Sequence, residues 1–366
     1  MSALMLHEFH QSLGARFTEV NGREVVEHYG DPMAEHAALF EAAGVLDLSF
    51  RSRLCLTGAD RKKFLHGQVT NDVNRLNIGE GCYAALVNAK GKMQSDLNVY
   101  MLEDEILLDF EPSYDATVAE RLEKYVIADD VQVVDAAPHY GLLTVQGPKA
   151  VEVVRQFEFG VESPKKLMSF VSHNDAIQGE IYLMNLPRTG TSGFDLFVPT
   201  AALGAVTDRL IAATKAVGGR ACGWQALESA RIEAGIPRYG ADMDETNLAS
   251  EAGIEERAIS YSKGCYIGQE VIARIRTYGQ VAKALRGLRL ADDLKTLPVR
   301  GDKLFKEGKE VGYITSAVAS PALKANIAIG YVRREHKGTG TDLTVRMGEG
   351  ESVAHIVDLP FKKILT

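Results

Sequence analysis

A chain of 366 residues with a net charge of −8 is too long for one small core and points to two or three modules. A hydrophobic fraction of 46% with 25% charged residues gives no sign of disorder, and the acidic balance argues against tight, non-specific nucleic-acid binding without excluding a local basic patch, so no direct nucleic-acid binding is expected. Cys55, Cys82, Cys222 and Cys265 lie far apart, without the spacing of a metal site or a disulfide framework. No apolar run approaches the roughly 20 residues needed to span a membrane, and residues 1–11 lack a secretory pattern, so the expected location is the cytoplasm.

Apolar residues at helical spacing predict a helix over 35–43, ended by Gly44. Residues 53–57 alternate as a strand, and Gly58 and Asp60 open a helix through Phe64 and Leu65. Two strands, 83–89 and 95–102, flank the turn Lys90-Gly91-Lys92 and form a hairpin, with a third strand at 106–110. A helix over 116–126 and strands at 131–134 and 142–145 follow. Gly147-Pro148 starts a further helix, since proline suits a first helical turn. Strands at 181–185 and 194–198 precede helices from Pro199-Thr200 to about Val217 and over 224–234, the second stopped by Gly235.

Past Ala282 the texture becomes short strands, at 285–290, 310–315, 327–332, 343–347 and 353–357. Together they suit a β-barrel or sandwich of about 80 residues. The fold class expected is α+β, with a first module built from 1–50 and 140–282, a second from 51–139, and a C-terminal barrel over 283–366.

The most unusual stretch is Lys263-Gly264-Cys265-Tyr266-Ile267-Gly268-Gln269-Glu270. A thiol near a lysine, in a glycine-permitted loop ahead of a helix starting at about Gln269, can be exposed and activated. A tight turn holding a buried thiol is the alternative. His66, after a helix, reads as a surface histidine, and Arg274, Arg276, Lys283 and Arg286 form a basic stretch.

This motif resembles the signature of the YgfZ family, the folate-binding branch of the glycine-cleavage T-protein superfamily. The likeness extends to Leu56-Thr57-Gly58, the hairpin from Tyr83 to Tyr100, Thr144-Val145-Gln146-Gly147-Pro148, and Arg231-Ile232-Glu233-Ala234-Gly235. It implies a T-protein-like core with a C-terminal barrel and tetrahydrofolate as cofactor. Asp96 matches the second acid of the paired Asp-Asp that T-proteins carry, their catalytic acid, whereas Ser95 replaces the first. Tyr83 and Tyr100 match aromatic positions lining the folate site, and Asp195 falls where T-proteins have a glutamate on the pterin edge. Arg231 is expected in cofactor binding, and Cys265 and Lys263 in catalysis beside Asp96. The T-protein Ala-Arg-Asp reads Ala226-Leu227-Glu228 here, so an arginine is missing at Leu227.

Three functions follow from the resemblance. The first is a YgfZ-type protein acting in iron–sulfur cluster assembly or repair, and thereby on iron–sulfur enzymes including tRNA-modifying ones, with those proteins or their assembly factors as partners. The second is a folate-dependent aminomethyl or one-carbon transferase. The third is a scaffold without turnover.

Overall fold

The computed structural model describes residues 3–157, 162–279, 281–348 and 350–361. It is an α+β fold with two open sheets and a closed C-terminal barrel. Among the described residues no helix is long and apolar enough to cross a membrane.

A five-stranded antiparallel sheet is ordered Gly81–Val87, Met93–Met101, Ile106–Phe110, Ser52–Thr57 and Gln132–Asp135. Strand alternation sends Leu97, Val99 and Met101 into one apolar cluster with Phe64 and Leu65 of the helix Arg61–Gln68. The opposite face carries Asp96, Asn98 and Tyr100. Cross-strand register lines up Tyr83, Asn98, Asp109 and Arg53, a polar row across four neighbouring strands.

A six-stranded sheet is ordered Phe170–Asp175, Gly179–Asn185, Gly193–Pro199, Tyr140–Gln146, Gly44–Asp47 and Arg220–Ala221, with only the last pair parallel. One apolar cluster of this sheet takes in the helices Ala150–Gln156 and Leu203–Ala216. Another joins the two sheets, packing Tyr100 and Leu107 against Leu142, Phe197 and the helix Trp224–Glu233. The barrel closes in the order Lys283–Leu290, Ala325–Arg333, Lys309–Ser320, Lys303–Lys306, Asp342–Met347 and Gly350–Val357.

The elements expected from periodicity are present with ends displaced by a few residues, and the alternative of a C-terminal sandwich gives way to a closed barrel. The strand expected over 83–89 stops at Val87, where the register shifts and Asn88 Oδ1 accepts the amides of Lys90 and Lys92 to build the turn. The helix expected from Pro199 begins with a 3₁₀ turn at Thr200–Ala202. An N-terminal hairpin, Arg16–Val20 with Arg23–His28, was not expected, although its Asn21-Gly22 turn, both at positive φ, is a hairpin signal. The sixth barrel strand, Lys303–Lys306, is too short to show alternation.

Glu233 ties the barrel to the core. Its carboxylate accepts from His36 Nε2 at 2.8 Å, from the Ser320 hydroxyl and from the Ala322 amide. Glu233, His36 and Ser320 are buried, so removing the carboxylate takes the acceptor from the His36 ring and from the Ser320 hydroxyl proton. Glu233→Ala should cost about 3 kcal/mol, read as a lower urea midpoint with unchanged slope.

Candidate active site

A cavity of about 500 Å³ opens where the five-stranded sheet, the helix Trp224–Glu233 and the segment after it meet. That volume lies in the range of small-molecule sites, about 300–1,000 Å³. Its apolar lining includes Leu48, Leu186, Trp224, Leu227 and Ile236, and its polar lining includes Asp96, Asn98, Glu111, Glu228 and several arginines.

One continuous ionic chain runs past this cavity. Asp195 accepts from Arg188 Nε at 3.0 Å, and Arg188 Nη2 reaches Asp109 at 3.1 Å. Asp109 also accepts from Arg51 Nε at 2.8 Å and from Asn98 at 2.9 Å. Arg51 donates onward to Glu111, whose second oxygen accepts from Arg238 at 3.2 Å. Arg238 lies 3.4 Å from Glu228, which accepts from Arg231, and Arg231 donates to Asp242. Asp242 then accepts the hydroxyls of Thr315 and, at 2.7 Å, Ser316 of the barrel. The chain thus passes from the six-stranded sheet through the five-stranded one to the barrel.

The alternation fixes protonation. Burial opposes ionisation of Asp109, but Arg51 and Arg188 outweigh it and hold that carboxyl at about 2. Glu228 is likewise held at about 2, burial being outweighed by Arg231 and Arg238. Asp96 behaves oppositely. Burial first, then Glu111, raises its proton affinity, against the Tyr83 hydroxyl and the charges of Arg51 and Arg257. The Tyr83 hydroxyl donates to Asp96 Oδ2 at 2.8 Å, and among the described residues no hydrogen bond engages Oδ1. Arg257, on the short helix Glu255–Ala258, lies over the Tyr83 ring at 4.5 Å.

Of the residues singled out in the sequence, Asp96, Tyr83 and Arg231 line this cavity together. Tyr100 does not. It is fully buried two positions beyond Asn98 on the same face, where Phe170 and Phe197 of the other sheet close over it edge-on. Asp195 is fully buried outside the lining, and both its oxygens are taken by Arg188, which stands between it and the cavity. Leu227, at the missing arginine, lines the cavity.

Lys263 and Cys265 also lie outside the lining. The Lys263 ammonium is buried against the C-terminal end of the helix Arg61–Gln68. It donates to the carbonyls of His66 and, at 2.7 Å, Val69, acceptors that a helix end leaves open, and to the Asn71 carbonyl just beyond at 2.9 Å. Burial pulls its pKa down to about 8, while three carbonyl acceptors favour the charged form. This lysine anchors the motif loop; it is not directed at the thiol. Cys265 is exposed. The helix after it, Gln269–Tyr278, begins where expected.

His66 is partly buried rather than on the surface. Burial and the Lys263 ammonium pull its imidazole below the usual range. The basic stretch stays outside the cavity lining: Arg276 stacks on Tyr261, Lys283 donates to the Tyr313 hydroxyl, and Arg286 to the Lys337 carbonyl.

Sequence reasoning missed Arg51, Glu111, Arg188 and Arg238, which come from loops and a strand end, and Arg257, which comes from the short helix Glu255–Ala258, all distant in the chain. Cys82 was also missed as a lining residue; burial pushes its thiol up to about 12. Among the described residues no group of three His, Cys, Asp or Glu is placed to hold a metal ion.

Asp109→Asn should cost about 3–5 kcal/mol, because it removes the negative partner shared by the buried Arg51 and the partly buried Arg188. Asp109 has a folded pKa below that of the unfolded chain. Its contribution is therefore present above about pH 4 and lost as pH falls toward 2, and the variant should show a flatter acid limb in denaturant titrations.

Residues 6–263 match the GCVT N-terminal domain, and residues 283–363 match the glycine cleavage T-protein C-terminal barrel domain. The chain is 30% identical over 360 residues to an aminomethyltransferase of Saccharopolyspora erythraea, covering 97% of this chain and 96% of that protein. It is 28% identical to the aminomethyltransferase of Bacillus subtilis, covering 98% of each chain. The fold superposes on the glycine cleavage system aminomethyltransferase T of Bartonella henselae with a TM-score of 0.87 at 23% identity, over 98% of both chains. Matched along both its core and its barrel, the protein belongs to the glycine cleavage T-protein family.

Proposed function

We propose that the protein binds tetrahydrofolate in the cavity beside Asp96 and acts as a one-carbon transferase of the aminomethyltransferase type. The observation that carries this reading is Asp96. It is the cavity acid without a guanidinium partner among the described residues, in a site whose other carboxylates are held by arginines. A general acid or base needs a carboxyl that can change protonation, whereas an arginine-paired carboxylate cannot do so near neutral pH.

The cavity suits the ligand by volume and chemistry. Apolar walls at Trp224, Leu186 and Ile236 suit a flat ring and exclude water, while Tyr83 presents an aromatic face. Bound tetrahydrofolate would supply the nucleophilic nitrogen that accepts the one-carbon unit. The Tyr83 hydroxyl fixes Asp96 through Oδ2, leaving Oδ1 to hold or release a proton toward the cavity. The family membership and the relatives named aminomethyltransferase favour this activity.

Anaerobic calorimetric titration with tetrahydrofolate should show binding to the wild type, weakened by about tenfold or more in Asp96→Ala. Failure of a folded wild type to bind would remove the ligand from this reading.

A second reading rests on Cys265. Its thiol is exposed in a loop that Lys263 pins to a helix end, and the motif resembles the YgfZ signature. In this reading the protein supports iron–sulfur cluster assembly or repair, with iron–sulfur proteins as partners. Cys265→Ser should then fold normally but fail to restore iron–sulfur enzyme activity in cells lacking the protein. Full restoration would take the thiol out of the function.

A further inference from the structure

Most of the positive charge around the cavity is spent on the protein itself. The four arginines of the ionic chain, Arg51, Arg188, Arg231 and Arg238, are paired with five carboxylates. That chain has no surplus cation to offer a ligand. Arg257 differs from all four. It lines the same cavity and is exposed at its rim, and among the described residues no carboxylate pairs with its guanidinium.

An exposed arginine ordinarily samples many rotamers, and fixing it costs entropy. Here the surroundings hold it. Its guanidinium lies over the Tyr83 ring at 4.5 Å. The Asn71 side-chain amide donates to the main-chain carbonyls of both members of that stack, Tyr83 at 2.8 Å and Arg257 at 3.0 Å. The next carbonyl, of Ala258, accepts the buried Thr70 hydroxyl at 2.6 Å, and that hydroxyl oxygen accepts the Ala85 amide at 2.9 Å. The short helix is thereby locked to the strand Gly81–Val87. Stacking engages the plane of the guanidinium and leaves its edge N–H groups free, and those are the donors that grip a carboxylate in a fork.

We propose that Arg257 is the specificity-determining residue of this cavity, pairing at the rim with a carboxylate of the bound ligand. The inference deepens the tetrahydrofolate reading and rests on it. The apolar walls at Trp224, Leu186 and Ile236 suit the ring of that molecule, which leaves its charged glutamate end for the exposed rim. The basic residues Arg276, Lys283 and Arg286 lie outside the lining and have partners of their own. Tyr83 joins the two functions in one side chain: its hydroxyl holds Asp96, and its ring carries Arg257.

The test titrates wild type and Arg257→Gln anaerobically, by calorimetry, with two probes. One is tetrahydrofolate; the other is its diamide, in which both glutamate carboxylates are carboxamides. The wild type should bind tetrahydrofolate about tenfold or more tightly than the diamide, and Arg257→Gln should bind the two alike. Added salt should weaken tetrahydrofolate binding to the wild type and have little effect on the variant. Because Arg257 is exposed, the variant should keep the wild-type thermal midpoint. Equal affinity of the wild type for both probes overturns the proposal whatever the variant does. So does a preference for tetrahydrofolate that survives in Arg257→Gln, including an equal loss for both probes, which would make Arg257 only a support for Tyr83. In those cases binding of tetrahydrofolate by the wild type leaves the proposed function standing. A folded wild type that binds neither probe overturns the proposed function and this inference with it.

Discussion

The alternating chain of buried carboxylates and arginines from Asp195 to Asp242 is the constraint on which the rest of this molecule depends. Each of its charges would be costly alone in a buried setting. Arg51 and Arg231 are each shared between two acids, and Asp109 between two arginines, so removing any member takes a charged partner from a neighbour. Its ends lie in different sheets, with Asp195 on Gly193–Pro199 and Asp242 hydrogen-bonded to Thr315 and Ser316 of the barrel. Register between the modules is therefore set by pairing geometry as well as by apolar packing.

The same chain defines the cavity electrostatically. Arginine pairing locks Asp109 and Glu228 in the charged state, so they shape the field without exchanging protons. Asp96, held through one oxygen by Tyr83, is left as the responsive group. A site built this way is preorganised: its guanidinium groups are already oriented before a ligand arrives, which lowers the cost of binding.

The motif that dominates the sequence has a different place. Lys263 is spent on the open carbonyls at the end of Arg61–Gln68, and its contact with the Asn71 carbonyl ties the motif loop to a residue of the cavity lining. Gly268 sits at positive φ, with a Cβ position 2.5 Å from the Asn88 carbonyl, so only glycine fits where the loop crosses the hairpin turn. Much of the motif's composition thus follows from how the loop docks, while Cys265 remains exposed.

The sequence by itself determined the element pattern, because alternation and helical spacing are local consequences of burial on one face. It also pointed to Asp96 and Tyr83, which sit on adjacent strands of one hairpin, so that a local pairing brings them together. The tertiary structure decided everything that depends on what covers a face. Tyr100 follows Asp96 and Asn98 on one strand face, yet the second sheet seals it into the core. Asp195 looked available for a ligand but meets Arg188 seven residues earlier, across the turn leading into its strand. Glu111, Arg238 and Arg257 carry no local pattern that marks them. Their meeting at one cavity is a property of long-range packing, which periodicity within a single element cannot encode.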